Sequence, residues 1–323
     1  MRLVHRCALL AWLLTALSCL APPPSHAAGS AVPPEVSAIL DKIYSFDLDD
    51  ATQAARRFQR EHPNDPLGFL LEGEALWWRI WCSSAEYKWG MIDVRHRAKL
   101  DADHRYFELA TQAYSLAIAQ NRSRESAANY FYAGMGDALA ARLYALRGEN
   151  RATARVGVRA RQNFLHALEL DRDYADADFG LGLYNYYVDT LGSLARMLRF
   201  FMGIPGGSKQ DGVRQLEAAI ASGALTPTLA RIYLALNLHR YDQRYARALG
   251  VLQPVAAKYP GNPLFQLMIA DLHAKLGHWD QSLAHYRAAA ALPVADGECK
   301  SRIQSLADSA SAAVAGLQAS HKQ

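Results

Sequence analysis

Cysteine and net charge are both scarce in this chain. Its 323 residues include four Cys, too few for the disulfide framework that stabilises small secreted domains. The 35 Lys+Arg and 31 Asp+Glu leave a net charge of +4, and no basic stripe of the kind that binds nucleic acid is present. With 51% hydrophobic and 20% charged residues, the composition is that of a globular protein and excludes a disordered or fibrous chain.

Long hydrophobic runs are also absent, apart from one at the N-terminus. Arg2 and Arg6 precede a weakly polar to apolar stretch over residues 7–21, and small residues follow at Ala27 and Ala28. This order of a basic, an apolar and a small-residue region is typical of a secretory signal peptide. The apolar stretch is shorter than the ~20 residues that span a bilayer. We therefore expect residues 1–27 to be removed, and the mature chain to have no integral membrane segment.

The remaining cysteines do not suggest a redox or metal site. Removal of residues 1–27 leaves Cys82 and Cys299, and no two Cys have the CxxC spacing that such sites use. Because the ends of an extended array lie far apart, we expect no disulfide between these two residues. A lipid-anchored form through Cys19 stays open, although Ala-Leu-Ser before it is a poor lipidation signal. Periplasmic localisation is the expectation, with secretion or lipid anchoring as alternatives.

A short pattern recurs along the chain: a small residue, a large residue four positions later, and a small residue three positions after that. These spacings put all three residues on one helix face, where the large residue fills the gap between closely approaching helices. The last three anchors are 36 and 34 residues apart, near the 34-residue tetratricopeptide period. The pattern occurs at Ala110-Tyr114-Ala117, Ala160-Phe164-Ala167, Gly212-Leu216-Ala219, Ala248-Leu252-Val255 and Ser282-Tyr286-Ala289.

Helix start signals agree with a helical repeat. Asp65, Thr226 and Asn262 each precede a Pro, which is the order of an N-cap and a first helical residue. Asn150 and Asp280 are further candidate caps, and no window alternates between polar and apolar residues over a strand length. The sequence predicts an all-α chain with roughly 75% helix, in about six antiparallel helix pairs. Its parts are long irregular units over 34–210, regular units over 211–293 and a capping helix over 298–317.

Several segments resemble tetratricopeptide repeats. Ala160-x3-Phe164-x2-Ala167, followed by Leu181-Gly182, looks like a repeat junction, and Gly277-His278-Trp279-Asp280 is a second match. A longer order of motifs over 180–187, 203–207 and 259–263 is similar to the inclusion-body-clearance and tetratricopeptide-repeat-39-like family and its exported bacterial relatives. The resemblance implies a right-handed α-solenoid, a scaffold in which the first helix of each pair lines a concave groove.

No local motif indicates catalysis. The chain has no GxSxG or HExxH motif, and residues 203–210 depart from the phosphate-loop pattern at two positions, Ser208 and Gln210. His104 and Glu108 share a helix face without a third ligand nearby in sequence. We therefore expect no enzyme, no cofactor and no metal.

Four of the six Trp lie close together in sequence. Trp77, Trp78 and Trp81 are spread over too much of a helix circumference to face one neighbour, and Trp89 follows. One interpretation is that they pack this segment onto the solenoid. The other is a partly exposed aromatic binding surface, since Trp contributes strongly to interfaces.

The function expected from these features is binding of a protein or peptide partner along the concave groove of a non-catalytic, exported scaffold. No nucleic-acid partner is expected. The alternative is a glycan- or small-molecule-binding accessory protein of the cell envelope, which would have a closed aromatic pocket near Trp77–Trp89. The candidate groove residues implied by the resemblance are Phe179, Leu183, Tyr186, Tyr233, Asn237, Arg240 and Asp271.

Overall fold

Helices that pack in sequence order dominate this protein. In the computed structural model, helix accounts for 78% of the described residues and strand for 3%, which confirms the predicted all-α class. The structure describes residues 32–94, 98–191 and 203–321. The predicted signal peptide over residues 1–27 lies outside these ranges. Residues Val32–Gln323 form one compact unit, and none of the helices in the described ranges is long and apolar enough to cross a membrane.

The first half of the chain contains seven described helices and one short β-hairpin. In chain order they are α1 (Pro34–Tyr44), α2 (Leu48–Glu61), α3 (Pro66–Ser84), β1 (Ala85–Lys88), β2 (Met91–Val94), α4 (Ala102–Ser123), α5 (Ala127–Arg147), α6 (Asn150–Leu170) and α7 (Asp176–Thr190).

The second half contains six described helices, most of them shorter. They are α8 (Lys209–Ser222), α9 (Pro227–Arg240), α10 (Tyr245–Lys258), α11 (Pro263–Lys275), α12 (Trp279–Ala291) and α13 (Gly297–His321). The predicted capping helix over 298–317 corresponds to α13, which extends beyond it at both ends. The buried residues of α13 recur every three or four positions, so they lie on one face of the helix, and this face packs on the array.

Two of the predicted helix starts are capped as expected. The Asp65 side chain accepts a hydrogen bond from the Leu67 amide at 2.8 Å, and the Asn262 side chain accepts one from Leu264 at 2.9 Å. Thr226 precedes α9, but its side chain makes no cap hydrogen bond; its hydroxyl donates instead to the Asp176 carboxylate at 2.6 Å. That carboxylate also accepts from the backbone amides at 224–226, so it anchors the loop before α9.

The other two predicted caps are displaced by one or two positions. Asn150 is the first residue of α6 and Glu149 precedes it. Asp280 lies in the first turn of α12, one residue after Trp279. An acidic side chain in the first turn still interacts favourably with the helix dipole, which explains why such a residue resembles a cap in sequence.

The recurring small-large-small positions form the interfaces between helices. Phe164, Leu216 and Tyr286 are each at most 1% exposed. A Cβ atom on Gly180 would lie 2.0 Å from Cε2 of the Phe164 ring, so only glycine permits this contact. Likewise, a Cβ on Gly182 would lie 2.9 Å from the Gly212 carbonyl oxygen. Glycines that face pattern residues therefore set how closely neighbouring helices approach.

The first helices of the array contact the last ones. The Asp41 carboxylate accepts hydrogen bonds from the Tyr259 hydroxyl at 2.6 Å and the Lys258 ammonium at 3.0 Å. The Asn262 side chain donates to the Tyr44 carbonyl at 2.9 Å. These bonds join α1 to the last residue of α10 and to the loop before α11, 217 or 218 positions away in sequence. The array is closed by these contacts.

A disulfide joins Cys82 to Cys299, and the expectation that these residues stay unpaired is wrong. Their Cα atoms are 5.6 Å apart, a separation that suits a disulfide. The expectation assumed an extended array with distant ends. Because the array closes, the end of α3 meets the start of α13, where the Arg79 guanidinium also lies 3.6 Å from the Asp296 carboxylate.

Helix α3 is enclosed by its neighbours. Fifteen of its 19 residues are buried, as expected for a helix that is apolar on all sides. Trp78 contacts Phe265 of α11 edge-on, with ring centroids 5.6 Å apart. Trp77, Trp78 and Trp81 are at most 6% exposed. These three rings therefore serve packing, in agreement with the first interpretation of the tryptophan segment.

The hairpin β1–β2 was not predicted, because each strand has only four residues and is too short for an alternation pattern. The strands are antiparallel, with Lys88 opposite Met91. Trp89 and Gly90 form the turn with φ values of 55° and 72°, both in the left-handed region required by the tightest hairpin turns.

Candidate partner-binding surface

The predicted groove residues are mostly inaccessible to a partner. Phe179, Tyr186, Asn237 and Asp271 are at most 2% exposed. Leu183 and Tyr233 are half-buried, and Arg240 is the exposed member of the set. Other helices of the chain and the hairpin cover most of these positions.

Arg142 lies at the centre of a buried polar cluster, which we call the arginine cluster: Glu74, Tyr106, Arg142 and Tyr233. The guanidinium lies 2.8 Å from the Glu74 carboxylate and donates to the Tyr106 hydroxyl at 2.8 Å and to the Tyr233 hydroxyl at 3.1 Å. It also stacks over the Trp77 ring, 4.2 Å from the centroid. The ring of Tyr233 therefore faces this cluster instead of an open groove.

Asp271 and Asn237 have internal partners as well. The Asp271 carboxylate accepts hydrogen bonds from the Tyr286 hydroxyl and from the Ile92 amide of the hairpin, each at 2.6 Å. Burial raises the pKa of Asp271 to about 7. The Asn237 carbonyl accepts from the Tyr186 hydroxyl at 3.1 Å. Asp271 thus holds β2 against α11, and the hairpin covers part of the surface that the sequence assigned to a partner.

The tip of the hairpin is exposed. Trp89 has 69% of its surface exposed, more than the other exposed large apolar residues among those described. The Lys275 ammonium donates to the Trp89 carbonyl at 2.9 Å, and the Lys88 ammonium lies 4.9 Å from the ring centroid. A non-glycine residue at positive φ is uncommon, so the Trp89 backbone adopts an otherwise unfavourable conformation at the tip.

A second aromatic residue lies at the other end of β2. The Arg240 guanidinium lies 2.8 Å from the Asp93 carboxylate and 5.3 Å from the ring centroid of Tyr241. Tyr241 is 41% exposed. We use the name hairpin surface for Lys88, Trp89, Arg240, Tyr241 and Lys275, which together present two exposed rings among three cationic side chains.

The sequence assigned two of these five residues, Trp89 and Arg240, to different candidate sites. It did not identify Lys88, Tyr241 or Lys275. The Trp89-Gly90 pair gives only a weak signal for the tip, since two-residue hairpin turns favour Asn, Asp or Gly before the Gly. No signal in sequence joins Tyr241 to the hairpin, because the ion pair between Arg240 and Asp93 makes that connection.

A buried histidine lies next to this surface. His239 is 6% exposed and contacts the Tyr245 ring edge-on. Burial and the nearby Lys275 ammonium lower the pKa of His239 to about 4. The unfolded chain, with the ordinary value of 6.5, takes up a proton first as the pH falls. The stability that neutral His239 provides is therefore full above about pH 6.5 and is lost as the pH falls towards 4.

Replacing His239 by Leu is expected to reduce the loss of unfolding free energy between pH 6.5 and pH 4. The shift corresponds to about 3 kcal/mol of unfolding free energy lost between pH 6.5 and 4. Asp271 acts in the opposite direction, since its raised pKa makes stability fall as the pH rises from about 4 to about 7. Urea unfolding of both proteins at pH 7.5 and 4.5 isolates the His239 contribution. An equal loss of stability in both proteins would contradict the assignment.

Cavities and metal-ligand groups lie elsewhere. Two cavities of about 660 and 570 Å³ are lined by residues between Asn64 and Asn129 and between Glu149 and Arg155. None of the four tryptophans considered above lines either one. His104 and Glu108 lie 3.5 Å apart as an exposed pair. In the described ranges, one group of three ligand atoms lies within 4.8 Å, from Glu35, Glu61 and His62, all exposed.

No family model matches this chain, and no curated protein matches it either.

Proposed function

We propose that this chain is an exported, non-catalytic scaffold that binds a protein or peptide partner through the hairpin surface. In this proposal the helices form a right-handed, tetratricopeptide-like solenoid of about six antiparallel pairs. The partner contacts the edge of the array at the hairpin instead of entering the groove, because most groove candidates are buried by the chain's own helices and hairpin. In this proposal the concave surface of the helical array does not bind the partner; it holds the hairpin in place.

One observation carries this proposal: Trp89 is 69% exposed on a turn that the protein holds in place. Trp residues at the centre of interfaces contribute a large share of binding free energy. Asp271 fixes the β2 amide and Lys275 fixes the turn carbonyl. A turn whose backbone is already held in place loses little conformational entropy on binding, so the exposed indole that it carries suits a binding role.

The charges around the ring indicate the chemistry of the partner. Lys88 and Lys275 flank the turn, and Arg240 lies beyond it. We infer a partner segment with an apolar side chain that packs on Trp89 and a carboxylate that contacts the Lys88 ammonium. Tyr241 would extend the apolar contact at the other end of the surface.

The disulfide supports export. Disulfides persist in oxidising compartments such as the bacterial periplasm and are rare in the cytosol. Cys82 and Cys299 are joined here, and the chain begins with a predicted signal peptide. A periplasmic location therefore fits both features.

Replacing Trp89 by Ala is expected to weaken partner binding about ten- to hundred-fold, because truncating a central aromatic residue costs ~1–3 kcal/mol. Thermal stability should hardly change, since the ring is exposed. The measurement is quantitative capture from envelope extract by immobilised wild-type and variant chains. A partner lost with the variant is then purified and its dissociation constant determined by calorimetry.

Leu170→Ala is the matched control, since Leu170 is an exposed apolar residue, 48% accessible, at the end of α6. It should capture the same proteins as the wild type. If Trp89→Ala folds and captures every partner with wild-type affinity, the hairpin surface is not the binding site. If both variants lose the partner equally, the contact is non-specific.

A further inference from the structure

The hairpin lies on a buried acidic residue whose hydrogen-bond donors are uncharged. Asp271 is 1% exposed, and its carboxylate accepts from the Ile92 amide of β2 and from the Tyr286 hydroxyl of α12, each at 2.6 Å. The Lys275 ammonium, one turn further along α11, donates to the Trp89 carbonyl at 2.9 Å instead. When Asp271 is ionised, these contacts bury its charge without an ion pair.

The register of the hairpin makes the Ile92 amide available to Asp271. Lys88 lies opposite Met91 beside the two-residue turn, and Tyr87 lies opposite Ile92. Hydrogen-bonded and non-hydrogen-bonded pairs alternate along an antiparallel ladder, and the pair that flanks a two-residue turn is hydrogen-bonded. The Ile92 amide therefore points away from β1 and towards α11. When the hairpin leaves α11, water reaches both this amide and the Asp271 carboxylate.

The ionisable groups around Asp271 do not remove the cost of burying its charge. In the described part of the chain, those that face it are Tyr87 of β1, Asp93 of β2, Tyr286 of α12 and Lys275 of α11. Burial raises the pKa of both tyrosines, so neither is charged near neutral pH. Burial is also the largest influence on Asp271 and raises its pKa to about 7, with Asp93 acting in the same direction and Lys275 opposing.

Opening of the hairpin is linked to this proton. The pKa of Asp271 is about 7 with the hairpin in place, and the ordinary value in water is 3.8. Between these values the open form has lost a proton that the closed form keeps, so a rise in pH favours the open form. Below about pH 4 both forms are neutral at this residue, and well above pH 7 both are ionised, so the effect is confined to this range.

We propose that Asp271 makes the attachment of the hairpin depend on pH: the hairpin is held most firmly while this carboxyl is neutral and opens more often once it is ionised. A neutral carboxyl still accepts a hydrogen bond from the Ile92 amide and places no charge in the interior, whereas an ionised one is better solvated by water. The consequence for binding rests on the function proposed above. Because the hairpin carries Trp89, a partner binds more tightly at mildly acidic pH.

Hydrogen exchange of the Ile92 amide, measured on the full, oxidised protein without a partner, tests this inference. After correction for the intrinsic exchange rate, its protection should fall about ten- to hundred-fold between pH 5 and pH 8. The Leu264 amide is the internal reference, because it donates to the Asn262 side chain, which does not titrate. Its protection reports global stability and should stay nearly constant.

Two variants change the response in different ways. Asp271→Asn keeps a neutral acceptor for the Ile92 amide, so the protection of that amide should be the same at both pH values. Tyr286→Phe keeps the ring but removes a hydrogen bond that lowers the pKa of Asp271, so the protection should continue to fall above pH 7. Circular dichroism confirms that each variant is folded.

Asp137→Asn is the matched control. Asp137 is also a buried acid, 2% exposed, but its carboxylate accepts from the Arg159 guanidinium at 2.8 Å, away from the hairpin. This variant should keep the wild-type response at Ile92. The proposal is overturned if the protection of Ile92 in the wild type does not fall with pH, if it falls in parallel with that of Leu264, or if Asp271→Asn keeps the wild-type response. These outcomes do not depend on whether Trp89 binds a partner, because none is present.

Discussion

Replacing Cys82 and Cys299 together by Ser is expected to lower the unfolding free energy by about 2–5 kcal/mol. The disulfide joins residues 217 positions apart, so its loss gives the unfolded chain the freedom of a very long loop. The same change removes the covalent link between α3 and α13. Urea unfolding of the double variant and the wild type, both without reductant, measures the difference.

Two comparisons make this result specific. Reducing the wild type with dithiothreitol should lower its stability by a similar amount and leave the double variant unchanged. Thiol titration of the unfolded, oxidised protein without its first 27 residues should detect no free thiol. Two free thiols in that experiment, or equal stability of the two proteins, would contradict a closed array held by this bond.

Replacing Arg142 by Met is expected to cost about 3–5 kcal/mol, because it leaves the Glu74 carboxylate buried without its cation. Glu74 is 6% exposed, and the guanidinium is also the shared donor to Tyr106 and Tyr233. Thermal and urea unfolding measure the loss. Adding Glu74→Gln should recover part of it, since the second change removes the unpaired charge.

Arg247→Met is the matched control for the arginine cluster. Its guanidinium lies 2.6 Å from the Glu217 carboxylate, but both groups are well exposed. Exposed ion pairs contribute about 0–1 kcal/mol, so this variant should be nearly as stable as the wild type. A similar loss in both variants would mean that Arg142 acts through general surface charge and not through the buried cluster.

The arginine cluster also changes what mutation of the groove candidates should do. Tyr186 is fully buried, and Tyr233 is half-buried with its hydroxyl accepting a hydrogen bond from Arg142. Substitution of these residues should destabilise the fold. A binding defect in such variants would therefore not identify an interface. Replacing the exposed Trp89 should instead weaken binding without lowering stability.

Local features were predictable because they depend on neighbouring residues. The small-large-small spacing located Phe164, Leu216 and Tyr286 in helix interfaces. The Asp65-Pro66 and Asn262-Pro263 pairs located two helix starts. Each of these signals spans less than two helical turns, where backbone geometry fixes which side chains share a face.

The candidate site was less predictable because it depends on what covers each residue. Asp271 and Asn237 have the same polarity in sequence whether they face a partner or the chain itself; here both are at most 1% exposed, and the Asp271 carboxylate bonds to the hairpin. Trp77 and Trp89 are equally apolar, yet one is 6% and the other 69% exposed. Composition and spacing do not distinguish these environments.

The sequence by itself determined an all-α chain, its helix starts and the faces on which the helices meet, because those properties follow from spacings of three and four residues. Only the tertiary structure decided that the array closes, that Cys82 meets Cys299, that α3 is enclosed, and that β2 of a short hairpin packs on α11. Small rotations between successive helix pairs accumulate along a solenoid. The contact between its ends depends on their sum, which no local pattern contains.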